Sequence, residues 1–596
     1  MHFTILDWFL IFTFPVISLV IGFVVSKKAG KDSASYFLSG RNMPWWLLGF
    51  SMVATTFSTD TPNLVTNIVR TNGVSGNWIW WAFLITGVVT AFIYAKLWRR
   101  SGVMTDLEFY EIRYSGKIAG YLRAFRALYL GVFFNVIIMS AVSLAAIKIA
   151  AIMIGTSPIE TLVILGTVTM VFSAMGGFLG VVISDLVLFV GAMVGAIGAS
   201  ISVLDHPKIG GLDGLLSNPL IADKLSILPD FSNTDSLIVI IIMPLLIQWW
   251  SVWYPGAEPG GGGYIAQRML AAKNGRHAMG AVIMFQIAHY ALRPWPWIIV
   301  ALASIIVYPD LDSLRAAFPD VPESAIGHDL AYSAMLTHLP PGLIGLVVAS
   351  LIAAYMSTMS TSLNWGASYV VNDFYHRFVN PDASEKQLVR VGRISTVVMM
   401  IMTAVLALAL SDALQVFNIL LTIGAGTGLL FLLRWYWWRI NGYSEIAAMV
   451  ISFVVAIGLQ FFAPSDWSGS FKLVLGVSVT TFGWLIVTYI SPASNHETLV
   501  SFIRLVNPAG PGWARIRNKA KQDGETLPSA DKGGLALALL SVPIACIGIY
   551  CLLFGVGYLI YGQITLAITL FIVSGVAGIF ITRNWSALSS DDDLSS

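Results

Sequence analysis

The sequence predicts an all-α polytopic membrane protein of about 15 transmembrane helices. Hydrophobic residues make up 57% of its 596 positions, and charged residues make up only 11%. Soluble chains usually carry about 25% charged residues. The mean hydropathy is +0.77, and apolar segments of roughly 20 residues, the length that crosses a bilayer as a helix, recur along the chain.

The composition also excludes several classes of protein. The two cysteines, Cys546 and Cys551, lie in an apolar run and provide neither a disulfide framework nor a structural zinc site. A formal net charge of +2 leaves no basic surplus for binding nucleic acid. No loop is large enough for an enzyme domain, and no GxxxxGK[ST] sequence for ATP binding is present.

The first apolar segment, Ile5 to Val25, lacks a basic n-region and a small-residue cleavage site. We therefore expect it to be retained as a helix, followed by a loop to residue 43. The further segments are residues 44–69, 78–98, 124–154, 159–177, 179–204, 236–254, 278–307, 341–370, 393–411, 412–434, 443–463, 471–490, 534–556 and 560–582. Residues 583–596 form an acidic tail, which we expect to be cytoplasmic.

The loops between these segments predict the orientation. Basic residues concentrate in every second connection, beginning with Lys27, Lys28 and Lys31, whereas the 308–340 loop carries five acids and a single arginine, Arg315. Basic loops face the cytoplasm. The N-terminus is therefore expected outside and the C-terminus inside, in a plasma membrane of the bacterial inner-membrane type.

The second segment has an unusual centre. Five hydroxyl residues, Asp60 and Pro62 fall close together between positions 55 and 62. Pro62 lacks an N–H and disfavours helix at Thr61, which predicts a break around 56–61. Broken helices in membranes expose carbonyls and helix ends that bind ions and solutes. The alternative is a proline kink eased by neighbouring hydroxyls.

The ninth segment carries a second polar group of residues. Ala354, Ser357 and Thr358 fall at i, i+3 and i+4, on one face of a helix. Two hydroxyls and a nearby carbonyl suit a hard cation that prefers oxygen ligands. The same small residues are also typical of close helix packing, and this alternative stays open.

Two further charges lie in apolar segments. Arg293 is expected to face a cavity or an acid, and its planar fork suits carboxylates. It could instead pair structurally with Asp60 or extend to a membrane interface. Asp185 follows the Gly176-Gly177 turn and is either an ion relay or a cap.

Four stretches together resemble the sodium:solute symporter family, which includes sodium/glucose cotransporters and bacterial proline and sialic acid symporters. The resemblance covers roughly residues 5–490. The stretches that carry it are Tyr36 to Met43 with Trp45-Trp46; Ser173 to Gly177 with Ser184-Asp185; Gln267 to Lys273; and Pro340 to Leu346 leading into Ala353 to Thr358, Asn364 and Asp373-Phe374-Tyr375.

The resemblance implies a LeuT-like fold of two five-helix units with opposite topology. These units would be residues 44–204 and 236–434, followed by accessory helices in 443–582. It also implies a site for sodium, the coupling ion. By matched position, its ligands are Ala54, Phe57, Ala354, Ser357 and Thr358, with Asp185 as a residue on the sodium exit route.

The solute residues match the family less closely. The resemblance implies that Asp60 and Thr61, just after the break, contact the solute, and that Arg293 replaces a lysine. At the position where the family has a glutamate before a tryptophan, this chain has Ile79 before Trp80. The gate region departs from the family pattern, with Trp253 among several tryptophans and extra glycines. Tryptophans favour stacking on a sugar ring.

These observations predict a sodium-coupled secondary active symporter that imports a small organic solute. A sugar, sugar acid or oligosaccharide is the first expectation, and an amino acid or carboxylate is the alternative. A membrane sensor would need a kinase or PAS-like sequence, and a passive facilitator would not need sodium ligands. The expected partners are the solute and membrane lipids, with no nucleic acid and no obligate protein partner.

Overall fold

The computed structural model describes residues 3–252, 257–319, 321, 326–410, 424, 426–464, 466–529 and 532–589. Within these ranges the chain is helical, and its β-pairing is confined to one isolated bridge between Met43 and Ala272. The predicted all-α class is therefore confirmed.

Eleven of the described helices are long and apolar enough to cross a membrane. They are Ile5–Ala29, Val74–Ser101, Lys117–Met153, Pro158–Leu204, Gly275–Val307, Leu343–Val379, Glu385–Ala409, Gly442–Phe461, Gly469–Ile490, Gly534–Ile560 and Ile564–Arg583. The predicted count of about 15 is not confirmed, and the difference arises at four places along the chain.

The longest of these helices has 47 residues and bends at Gly177, where φ is 52°. A straight helix would place Ile164, before the bend, about 40 Å from Gly191, after it. Instead, Ile164 lines one cavity with Trp8 of the N-terminal helix, and Gly191 lies against Phe14 of that same helix. The two halves therefore fold back beside each other as a hairpin, in agreement with the predicted spans 159–177 and 179–204.

The second predicted span is a broken helix. Its halves are Trp45–Thr55 and Asp60–Asn72, and the backbone at 56–59 is not helical. Pro62 lies in the first turn of the second half, where its missing N–H would have no helical partner in any case. The break predicted at 56–61 is thus confirmed.

Two predicted spans are not among these eleven helices. In place of 236–254 the chain forms one continuous helix of three consecutive parts, Thr234–Leu237, Ile238–Ile242 and Met243–Leu246, of which the middle one is π-helical. Its 13 residues are fewer than a membrane-spanning helix needs. Most of 412–434 lies outside the described residues.

The hairpin packs against both the N-terminal helix and Leu343–Val379. This contact is close: a Cβ added at Gly195 would come within 2.5 Å of the Ser350 hydroxyl. Small residues therefore allow the hairpin to approach the helix that carries Ser357 and Thr358.

In contrast, Ile564–Arg583 leaves most of its apolar side chains exposed, as expected for a helix that faces lipid.

Buried ion pairs join other spans near one end of the bundle. Arg126 lies 2.5 Å from Glu258, and Arg123 lies 2.7 Å from Asp373. All four side chains are almost fully buried. Since a buried charge without a partner is strongly destabilising, these pairs fix Lys117–Met153 to the glycine-rich segment after residue 256 and to the end of Leu343–Val379.

Candidate functional site

Asp185 joins three elements of the fold. The hydroxyl of Ser51, in the first half of the broken helix, donates to its Oδ2 atom. The hydroxyl of Ser357, in Leu343–Val379, donates to Oδ1 at 2.6 Å. All three side chains are at most 1% exposed. The carboxylate thus connects the hairpin, the broken helix and the helix that carries the predicted cation ligands.

Arg268 balances the charge of Asp185. Its guanidinium lies 3.7 Å from the carboxylate and donates to Ser51 at 2.9 Å and to Thr361 at 2.8 Å. Thr55 in turn donates to Thr361 at 3.0 Å. We call this buried set the aspartate cluster: Ser51, Thr55, Asp185, Arg268, Ser357, Thr358 and Thr361.

Thr358 connects the cluster to the break itself. Its hydroxyl donates to the Thr55 carbonyl at 2.8 Å. Immediately after this contact the chain leaves the helix, and the Phe57 N–H donates to the Ala54 carbonyl at 3.1 Å. Ala354 lies one turn before Thr358 and is buried. The structure therefore brings the segments holding all five predicted sodium ligands side by side.

This environment suits a monovalent hard cation. Hydroxyl and main-chain oxygens are the ligands that such ions prefer. Within the described residues, no group of three or more His, Cys, Asp or Glu side chains could hold a metal ion, so a transition-metal site is not indicated there. The adjacent acid, Asp185, is already paired with Arg268.

Arg293 approaches the break from the opposite side. Its Nη1 atom donates to the Thr56 carbonyl at 2.6 Å, and its Nη2 atom lies 3.1 Å from Nε2 of His289. Both terminal nitrogens of the predicted carboxylate fork therefore already have partners. The guanidinium also lies over the ring of Trp297, with its carbon 5.3 Å from the ring centre.

The second half of the broken helix carries oxygens that lack partners. Among the described residues, the buried atoms Oδ1 of Asp60, Oδ1 of Asn63 and Oγ1 of Thr66 accept and donate no hydrogen bond. Their spacing of three residues places them along one side of the helix. We call these three residues the oxygen strip. No ion pair joins Asp60 to Arg293 in the part of the chain that the structure describes.

Thr61 and Trp80, two of the other predicted solute residues, contact the break and the neighbours of Arg293, respectively. Thr61 accepts a bond from the Ser58 N–H at 3.3 Å and so caps the break. Trp80 stacks on Tyr290, with ring centres 5.7 Å apart, and meets the edge of His289 at 5.8 Å. Trp253 lies outside the described residues.

Some residues of the site were not among the predicted ligands. Ser51, Thr361 and Arg268 complete the aspartate cluster, and His289 holds Arg293. Only His289 left an independent signal in the sequence, since a histidine four positions before a buried arginine in an apolar segment is unusual. The partners of Arg268 lie far away in sequence, so spacing alone could not reveal them.

The sequence of this chain is similar to those of known sodium-coupled transporters. The sequence profile described as "SSF: Sodium:solute symporter family" matches residues 36–452. A sodium/glucose cotransporter of Vibrio parahaemolyticus is 26% identical over 75% of this chain and 84% of its own. The sodium/sialic acid symporter SiaT of Proteus mirabilis is 23% identical over 82% of this chain and 96% of its own.

A solved structure shares the fold. It is a substrate-bound, outward-open sodium-coupled sialic acid symporter, with a TM-score of 0.68 and 20% identity. The match covers 83% of this chain and 99% of that one. The LeuT-like architecture expected from the sequence is therefore confirmed at the level of the fold.

Proposed function

Because the chain belongs to the sodium:solute symporter family, we propose that it imports a polyhydroxylated solute, a sugar, sugar acid or oligosaccharide, together with sodium. Sodium is the coupling ion of this family, and the chain is a transporter rather than an enzyme. The substrate class is the part that this proposal adds.

The oxygen strip is the observation that carries the substrate class. Leaving a buried polar atom without a partner costs about 1–3 kcal/mol. The atoms of Asp60, Asn63 and Thr66 that lack partners can all accept hydrogen bonds. A ligand rich in hydroxyl donors would satisfy them together, whereas a ligand that only accepts would not.

The aromatic side chains beside His289 and Arg293 support a ring-shaped solute. Trp80 and Tyr290 form a stacked pair beside His289 and Arg293. Such faces favour the apolar C–H face of a pyranose. The named relatives transport glucose and sialic acid, one a neutral sugar and one a sugar acid.

An amino acid or simple carboxylate is the second candidate, with its ammonium on Asp60 and its carboxylate on Arg293. Three of the five N–H groups of Arg293 are already bonded, two to the Thr56 carbonyl and hydroxyl and one to His289. Its Nε atom has no partner in the described part of the chain, so Nε and the second N–H of Nη2 are left for an oxygen of the solute. Arg293 therefore accommodates a carboxylate, and the oxygen strip is the feature that favours a polyhydroxylated solute.

For sodium we propose the main-chain oxygens of Ala54, Phe57 and Ala354 and the hydroxyls of Ser357 and Thr358. Asp185 would then accept the ion on its way out, because it already binds the Ser357 hydroxyl. We also propose the two repeat units 44–204 and 236–434, with the N-terminus outside and the C-terminus in the cytoplasm.

Uptake by purified protein in liposomes tests the proposal. An inward sodium gradient is applied, and neutral sugars, sugar acids, amino acids and carboxylates are offered separately as radiolabelled compounds. We expect sodium-dependent accumulation of a sugar or sugar acid, and none with a potassium gradient. Accumulation of amino acids alone would overturn the substrate class, and accumulation that ignores sodium would contradict the coupling.

A further inference from the structure

Two neighbouring carbonyls in the break are held from opposite sides. The Thr55 carbonyl accepts from Thr358 at 2.8 Å, on the side of the aspartate cluster. The next carbonyl, that of Thr56, accepts from Arg293 at 2.6 Å, on the side of the oxygen strip.

The two carbonyls belong to consecutive planar peptide units, and only the φ and ψ torsions of Thr56 separate them. The hydroxyl of Thr56 is itself held, because it donates to the Val53 carbonyl at 3.0 Å and lies 2.9 Å from His289. A displacement of one carbonyl is therefore transmitted to the other through Thr56.

His289 fixes the second of these contacts. Because the guanidinium of Arg293 only donates, the Nε2 atom of His289 accepts, and its Nδ1 atom carries the proton. Nδ1 lies 2.9 Å from the Thr56 hydroxyl and donates to it. The neutral ring thus joins Arg293 to Thr56 by a second route, in addition to the direct bond to the carbonyl.

The local backbone explains why His289 can reach both partners. Residues Ile287–Leu292 form a π-helical segment, and the Arg293 N–H donates to the Ala288 carbonyl at 3.3 Å. The wider turn lies directly before Pro294, and π segments of this kind are frequent at functional sites. His289 is 3% exposed and Arg293 is 2% exposed, so this bonding is screened from water.

We propose that His289 is a positioning residue that couples the solute side of the break to the sodium side. This inference rests on the sodium site proposed above. Sodium at the Thr358 side holds the break in one conformation, and the bonds of His289 carry that restraint to Arg293. By reciprocity, solute bound near Arg293 restrains the sodium ligands by the same free energy.

Hydrogen exchange with sodium alone tests this coupling without knowledge of the solute. Amide exchange is measured by mass spectrometry on the full chain in detergent, in sodium and in potassium. In the unaltered protein we expect sodium to slow exchange in residues 354–361 and, by about tenfold, also in residues 287–293. In His289→Phe, the slowing at 354–361 remains, whereas the slowing at 287–293 is reduced, because only the direct bond of Arg293 to the Thr56 carbonyl is left.

The controls separate coupling from packing. Phe285→Leu changes a ring that meets His289 at 5.1 Å but removes no hydrogen bond among Thr56, His289 and Arg293, and should behave like the unaltered protein. Thr56→Val removes the hydroxyl bonded to Nδ1 and should behave like His289→Phe, which keeps the test valid should one variant fold poorly.

Two contrary results have different meanings. Equal slowing at 287–293 in His289→Phe and the unaltered protein would overturn the role of His289 alone. If sodium slows exchange at neither segment of the unaltered protein, the proposed sodium site fails, and the inference that rests on it fails with it.

Discussion

The aspartate cluster and the oxygen strip lie on the two halves of one broken helix, yet they differ in how their polar atoms are paired. In the cluster, Ser51, Asp185 and Thr358 bond to protein groups from other elements. In the strip, buried atoms of Asn63 and Thr66 have no partner among the described residues. The atoms of the strip that lack partners are themselves buried, so contact with solvent does not explain the difference.

This difference follows from the ligands that the two regions are proposed to bind. A sodium ion needs only oxygen ligands. The carbonyl and hydroxyl groups around it can therefore be hydrogen-bonded to the protein and still have lone pairs that coordinate the ion. A solute must supply specific donors, and the protein atoms that recognise it stay unpaired until it binds. We therefore expect the cluster to stabilise the fold and the strip to provide specificity for the solute.

The largest effect is expected on breaking the cluster. Asp185→Ala leaves Arg268 buried with no nearby acid, which costs about 3–5 kcal/mol of the free energy of unfolding. The thermal midpoint of the purified protein measures this loss. The double variant Asp185→Ala with Arg268→Gln should recover part of the loss. An unchanged midpoint in the single variant would mean that the cluster does not stabilise the fold.

A smaller effect, on binding only, is expected in the strip. Asp60→Asn should weaken solute binding by about 1.5–3 kcal/mol, because it removes a charged acceptor. The free energy of unfolding should change by less than about 0.5 kcal/mol, since the buried oxygen has no partner to lose. The half-saturation concentration for uptake and the thermal midpoint together check this expectation. A large stability loss would contradict the contrast between the two regions.

Thr358→Val tests the link between the cluster and the break. Losing one hydroxyl should raise the sodium concentration for half-maximal uptake by about tenfold. This factor corresponds to the free energy of about one hydrogen bond. Ser368→Ala is a matched control on the same helix, because its hydroxyl donates only to the local Trp365 carbonyl. Equal shifts in both variants would argue against a specific sodium ligand.

The smallest effect concerns histidines at the far end of the second half of the broken helix. There Arg70 donates to His328 at 3.2 Å and to the Tyr308 carbonyl at 2.8 Å. His338 lies 2.8 Å from the Tyr308 hydroxyl and packs on His206. The other charged groups that face them are Lys208, Asp310 and Asp329.

Acid should loosen this end of the molecule. Burial, and then the neighbouring cations, lowers the pKa of His206, His328 and His338 below the ordinary value of 6.5. The folded state thus favours neutral rings, so their contribution is present above pH 6.5 and is lost as pH falls through the lowered values. We expect a small fall in the thermal midpoint between pH 7.5 and pH 5, and a smaller fall in His338→Gln. A midpoint that rises in acid would contradict this sign.

Much of the fold could be predicted from local signals. Pro62 among hydroxyls indicated the break, and Gly176-Gly177 indicated the bend of the hairpin. These features depend on backbone chemistry within a few residues. The span count was less accurate where the chain departs from regular helix, as it does between Thr234 and Leu246.

In the candidate site, too, local features could be predicted from the sequence and tertiary contacts could not. Ser357 and Thr358 were predicted as sodium ligands from their helical spacing and the family resemblance, and the structure places Thr358 against the break. That Arg293 bonds both the Thr56 carbonyl and His289 could not be predicted, because this depends on the π-helical turn. The lack of a partner for Oδ1 of Asp60 is likewise a tertiary property, since its sequence neighbours offer several possible donors.

Equilibrium binding of radioactive sodium to the purified protein, without solute, tests whether sodium binds at Thr358 and not at Asp60. The unaltered protein, Thr358→Val and Asp60→Asn are compared side by side. We expect the sodium affinity to be about tenfold weaker in Thr358→Val and unchanged in Asp60→Asn. Weaker sodium binding in Asp60→Asn with normal binding in Thr358→Val would contradict this expectation.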